Sequence, residues 1–151
     1  MPKLQLIDSF YSCFEPIIKA MGYELWGIEM RVDGCNSILC IYINSEHGIK
    51  LDDCSKVSYQ LGSVLDVENP IDNKYTLEVS SPGLDRALFT LEQCGCFVGH
   101  MVRIKVGKHK HVGKIEAVTN EHVIISNELK EFRITSQELK NMDYKLRIIG
   151  S

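Results

Sequence analysis

Tyr75-Thr76-Leu77-Glu78-Val79-Ser80-Ser81-Pro82-Gly83-Leu84-Asp85-Arg86 is the stretch that decides how the chain divides. Its first half reads as a strand over 74–80. Tyr75, Leu77 and Val79 face one way, and Thr76 and Glu78 the other. Pro82 then fixes φ and Gly83 permits positive φ, so the chain turns sharply out of the strand. Asp85 beside Arg86 can bond locally or grip an adjacent element. A strand ending in a rigid reversal marks a joint between two domains, 1–86 and 87–151. The same loop, Ser80, Ser81, Pro82, Gly83, Leu84, Asp85 and Arg86, is a candidate for docking a partner.

Upstream, Leu4, Ile7, Phe10, Tyr11, Phe14, Ile17, Ile18 and Met21 recur at three- and four-residue steps, which predicts an amphipathic helix. Pro16 should kink it or divide it near Glu15, and Gly22 is a natural stop. Trp26, Ile28, Met30 and Val32 alternate with Gly27, Glu29 and Arg31, giving a strand over 23–32. Asp33-Gly34-Cys35-Asn36 is turn chemistry, and Ser37–Asn44 is a second strand with Leu39, Ile41 and Ile43 on one face. A second helix starts at Asp52 or Asp53, buries Cys54, Val57, Ser58, Leu61, Val64 and Leu65, and ends at Asn69-Pro70. Helix, strand, strand, helix, strand is an α/β layer with helices on one face of a short sheet.

Downstream, a short helix is expected over Thr90–Cys94. Short strands follow over 101–106, 112–118, 122–126, 130–134 and 143–149. Thr135 with Glu138 forms a capping box for one helical turn before the last strand. Five strands with one helical turn before the fifth is the layout of a small SH3-like or Sm-like β-barrel, with an OB-type barrel as the alternative. The fold class is therefore α+β.

The 151 residues carry 17 Lys/Arg against 20 Asp/Glu, for a net charge of −3. That balance is ordinary for a globular chain and excludes a disordered polyelectrolyte. The longest apolar run, Ile38–Ile43, is far short of the roughly 18 residues a membrane span needs. No signal peptide is visible, so the expected location is the cytoplasm. The charge is unevenly spread. Residues 1–88 hold 7 Lys/Arg and 13 Asp/Glu, and residues 89–151 hold 10 and 7, so an acidic module precedes a basic one. Six cysteines could invite a disulfide framework, but a chain of this length builds a core without one, and reduced thiols are expected.

Catalytic signatures are absent from the sequence: no phosphate-binding glycine loop, no GxSxG and no HExxH. Cys94, Cys96 and His100 are the best metal candidate, but structural zinc sites space their cysteines by two to four residues and come in sets of four. Packing cysteines are the better reading. Glu29 and Glu78 sit on neighbouring strands and read as solvent-facing positions. Arg103, Lys105, Lys108, His109, Lys110, His111 and Lys114 fall within twelve residues of an otherwise acidic chain. On a protruding hairpin loop, Arg103, Lys105, Lys108, Lys110 and Lys114 would be phosphate contacts. Base-stacking aromatics are missing there, so base-specific reading is not expected.

Residues 75–86 resemble the signature of the bacterial ribosome maturation factor RimP family. Met21-Gly-Tyr-Glu-Leu-Trp-Gly-Ile-Glu29 resembles that family's first-strand motif. Gly48-Ile-Lys-Leu-Asp-Asp-Cys54 with Val57-Ser58 resembles its second-helix start, Leu65-Asp-Val-Glu-Asn-Pro-Ile71 its helix exit, and Phe97-Val-Gly99 the opening of its second domain. Ala87 stands where the family usually has a second proline, and His111-Val112 precede Gly113 where an aromatic is common.

The resemblance implies an N-terminal α/β domain and a C-terminal SH3-like barrel. It implies a non-enzymatic factor for maturation of the small (30S) ribosomal subunit, with no catalytic, metal or cofactor residues. Its partners would be the immature subunit, its 16S rRNA and small-subunit proteins, uS12 among them. A monomer is expected, with no membrane association. The alternatives are a free-standing Sm-like RNA binder and a zinc-binding protein built on Cys94, Cys96 and His100.

Overall fold

Phe10 and Phe14 stand one helical turn apart, fully buried, with ring centroids 5.5 Å apart. Burying each such ring stabilises by about 1.5–3 kcal/mol. With Ile7 and Ile18 they make the inner face of α1 (Lys3–Ala20). The computed structural model describes residues 3–33, 36–67, 75–83, 86–140 and 144–149. The chain forms two compact units, Met1–Pro82 and Gly83–Ser151.

α1 is one helix that runs through Pro16, so the expected division at Glu15 does not occur. Proline deprives the Ser12 carbonyl of its i+4 donor. Ser12 and Pro16 are both exposed, so water can serve that carbonyl and the helix continues. It ends where Gly22, at φ +94°, lets the Tyr23 N–H reach back to the Ile18 carbonyl at 3.1 Å.

β1 (Glu24–Asp33), β2 (Asn36–Asn44) and β3 (Tyr75–Ser80) form a sheet in that order. β1 and β2 are antiparallel, with Ile28 opposite Ile41 and Met30 opposite Leu39. β3 runs parallel to β2 after α2 (Leu51–Val67). Ile28, Met30, Leu39, Ile41 and Ile43 are buried, and Val57, Leu61 and Leu65 of α2 join them in one core. A bulge between Leu25 and Gly27 interrupts the simple alternation of β1, yet Trp26 stays buried. The Tyr11 hydroxyl accepts from the Ile28 N–H at 2.9 Å and ties α1 to β1. Burial pushes that phenol up to about 12. The N-terminus of α2 is held by Asp53, which accepts from the Lys50 N–H at 2.8 Å and from the Tyr23 hydroxyl at 2.5 Å. The Tyr23 bond is the main reason its carboxyl titrates below the usual range. The expected Gly34-Cys35 turn and the Asn69-Pro70 helix exit lie outside the described residues.

The second unit opens with α3 (Leu91–Gly95), where Thr90 caps the Gln93 N–H at 3.1 Å. β4 (Met101–Val106), β5 (His109–Val118), β6 (His122–Ser126), β7 (Glu131–Thr135) and β8 (Tyr144–Ile148) make an antiparallel sheet ordered β7-β6-β5-β4-β8. α4 (Ser136–Lys140) links β7 to β8. The capping box is present: Thr135 and Glu138 exchange N–H to side-chain bonds of 3.0 and 3.2 Å. Val102, Ile104, Ile115, Val123, Ile125 and Leu146 form the core. The chain is thus a mixed α+β protein of two sheets with helices. A closed barrel would need β7 to pair with β8, and no such pairing occurs among the described residues.

Gly113 of β5 lies opposite Val102 and faces this core. A Cβ there would stand 2.8 Å from the Ile125 side chain and 3.0 Å from the Ser126 carbonyl oxygen. Gly113→Ala should therefore overpack the sheet and cost about 1–3 kcal/mol. Urea unfolding followed by circular dichroism checks this, and an unchanged midpoint would show that the strands shift apart freely.

Candidate nucleic-acid interface

The basic cluster does not protrude as a loop. Pairing between β4 and β5 continues to Val106 opposite His109, which leaves Gly107 and Lys108 as the turn. Gly107 at φ +61° makes so short a reversal possible. β5 consequently begins at His109 rather than at the expected Val112. Arg103, Lys105, Lys110 and Lys114 are strand residues, all exposed, and Lys108 alone of the five candidates sits at the tip.

Alternation along β4 places them. Val102 and Ile104 point into the core, so Met101, Arg103 and Lys105 point out. The register then builds rows across three strands. Lys110, Lys105 and Lys145 stand side by side on β5, β4 and β8. Val112, Arg103 and Arg147 form the next row, and Lys114 lies opposite Met101 in a third. Ala87 pairs with Arg147 beyond β8. Rows two residues apart along a strand are about 7 Å apart. Six cations share this outer face, and none of the eight register positions in these rows is a carboxylate. Elsewhere in this sheet, Glu116 accepts from Ser126 Oγ at 2.8 Å, and Glu131 pairs with Arg133 at 2.9 Å.

Lys145 and Arg147 were not among the sequence candidates. Their alternation with buried Leu146 and Ile148 shows that they face outward. What the sequence could not show is that β8 returns to lie beside β4.

The candidate docking loop is described in part. Ser80 and Ser81 are exposed at the end of β3, and Gly83 adopts φ +76°. The Arg86 side chain turns back and donates from Nε to the Gly83 carbonyl at 3.0 Å. Its own carbonyl accepts from the Ile148 N–H at 3.0 Å, beside β8. Leu84 and Asp85 lie outside the described residues.

Cys94, Cys96 and His100 do not come together. Two residues apart on a helical turn, the cysteines point to roughly opposite sides. Cys94 is fully buried and Cys96 is exposed. The His100 ring packs edge-on against Phe97, with centroids 5.4 Å apart. No group of three metal-ligating side chains forms among the described residues. Glu29 and Glu78 are separated by the width of β2, since both lie opposite Cys40. Arg31 pairs with Glu78 at 2.9 Å and donates from Nε to Cys40 Sγ at 3.2 Å. This arrangement covers a buried thiol and does not make a carboxylate dyad.

Residues 13–85 match the model of the RimP N-terminal domain. The chain carries a RimP N-terminal domain. The RimP family is one of ribosome maturation factors. The RimP match covers the acidic half, and the basic face lies beyond it. No described helix is long and apolar enough to cross a membrane.

Two outcomes follow from this geometry. Burial pushes the Cys94 thiol up to about 12, so it stays protonated near neutral pH. A thiol reagent on the native protein should modify Cys96 and spare Cys94 until the protein is unfolded, as peptide mapping will show. Lys105 stands directly beside Lys110, and both are exposed, so it carries like-charge repulsion. Lys105→Gln should raise stability by about 0.2–1 kcal/mol at low salt. The gain should fade in 1 M salt, where the screening length is about 3 Å. Paired thermal melts test it, and a lower melting point at low salt would contradict the repulsion.

Proposed function

We propose that this protein is a maturation factor for the small (30S) ribosomal subunit that acts by binding and not by catalysis. The RimP N-terminal domain match over residues 13–85 carries this reading. In it the chain works as two domains, 1–86 and 87–151, and the second is an SH3-like small β-barrel. The strand order β7-β6-β5-β4-β8, with one helical turn before β8, supports that architecture.

Charge divides the work. The acidic half, with 13 Asp/Glu against 7 Lys/Arg, would repel RNA phosphate and complement a basic ribosomal protein such as uS12. The loop Ser80–Arg86 would fix the docked partner. Arg103, Lys105, Lys108, Lys110 and Lys114 would meet the phosphates of 16S rRNA. The protein would act in the cytoplasm as a monomer.

The test is sucrose-gradient profiling of ribosomal subunits in cells lacking the protein. A deficit of small subunits with unprocessed small-subunit RNA is expected. A normal subunit ratio with fully processed RNA would overturn the reading. In the same cells, charge reversal at Lys105, Lys108, Lys110 and Lys114 should weaken co-sedimentation with small-subunit precursors at moderate salt. Unchanged co-sedimentation would remove these four from the contact.

A further inference from the structure

We infer that the outer face of β5-β4-β8 is a binding surface for the sugar-phosphate backbone of helical RNA, built by Arg103, Lys105, Lys110, Lys114, Lys145 and Arg147. This extends the contact from one hairpin to three strands and adds two residues of β8.

Three observations carry it. First, strand register places the six cations in adjacent rows on a single face, and two of them come from a part of the chain more than thirty residues beyond the others. Second, the exposed Lys105 and Lys110 are direct cross-strand neighbours of the same sign, which opposes stability. Two adjacent cations of one sign facing solvent are what a polyanion would neutralise, releasing its counterions.

Third, the rest of the face excludes other modes of RNA recognition. Its remaining positions are Met101, Val112 and Ala87, with Met101 and Val112 each 45% exposed. These suit contact with sugars. No aromatic stands in these rows, so the stacking platform that single strands need is missing. Base edges of an RNA helix are not reached by side chains in its deep major groove, so the sugar-phosphate backbone, with the 2′-hydroxyls of the shallow minor groove, is the main feature to be read. An acidic protein surface is the less fitting partner. Protein carboxylates are interspersed with cations, whereas a phosphodiester chain repeats its charge without interruption.

The choice of RNA over another polyanion rests on the ribosomal reading. The test uses the full chain, an RNA duplex of about 16 base pairs, a single strand of equal length and a polyglutamate peptide, with affinity measured against salt. Lys145→Gln with Arg147→Gln should weaken duplex binding at least tenfold. It should also lower the salt slope by about two, one for each cation. Lys19→Gln with Lys56→Gln removes the same charge from exposed positions on α1 and α2, and should change neither quantity.

Duplex affinity within twofold of wild type for the β8 variant overturns the inference. So does an equal loss in the α1/α2 variant, which would reduce the effect to net charge. Tighter binding of polyglutamate than of duplex would assign the face to a protein partner, and tighter binding of the single strand would remove the helical assignment. Should the β8 variant not fold, Lys105→Gln serves alone. It should lower the slope by about one, and an unchanged slope overturns the proposal. The two readings fail separately. Unaltered duplex binding by the β8 variant removes this face whatever the subunit profile shows. A normal profile in cells lacking the protein removes the ribosomal role and leaves duplex binding intact.

Discussion

The register of β4 is the constraint on which the second unit depends. β4 lies between β5 and β8, and Val102 and Ile104 on one of its faces are fully buried. A slip of one residue would turn Arg103 and Lys105 into that core, where an unpaired charge is far too costly to bury. The apolar side therefore fixes the charged side. Gly113 tightens the same arrangement from β5, because a Cβ there would press on Ile125 and the Ser126 backbone. The basic face is thus a by-product of core packing in its position, though not in its composition. Glutamate or threonine would satisfy the outward positions of β4 as well as arginine and lysine do.

The first unit solves its packing differently. Its helices cover one face of a three-stranded sheet, and large aromatic and aliphatic side chains from α1 and α2 fill that layer. Its other face is closed by local polar contacts. Arg31 spans from Cys40 to Glu78 across two strands, and the long guanidinium stem shields a thiol that is 2% exposed. Burial raises the Cys40 pKa, and the adjacent guanidinium opposes this without reversing it. The outcome is a protonated thiol under an exposed ion pair.

Placed side by side, the two sequences of charge describe a molecule with two kinds of surface. The half that matches the RimP N-terminal domain is acidic, and the half beyond it carries a face of cations. Opposite signs on separate units favour partners of opposite charge and discourage wrong pairings.

Much of this was legible in the residues. The stripe from Ile7 to Ile18, the alternation in β2 and β4, the Thr135–Glu138 capping box and the turn at Gly83 are local patterns, and local physics decides them. The motifs from Met21 to Arg86 likewise sufficed to recognise the family. Local pattern left open whether Pro16 kinks or divides the helix, because whether a helix survives a proline depends on where the freed carbonyl faces; the helix runs through it. Local pattern also drew the hairpin of β4 and β5 too short, since Gly107 allowed pairing to run almost to the tip. Only the tertiary structure decided which strands are neighbours. Lys145 lies forty residues from Lys105 in sequence and directly beside it in the sheet. Alternation tells a strand residue which face it is on, but pairing between distant strands is set by the core they share.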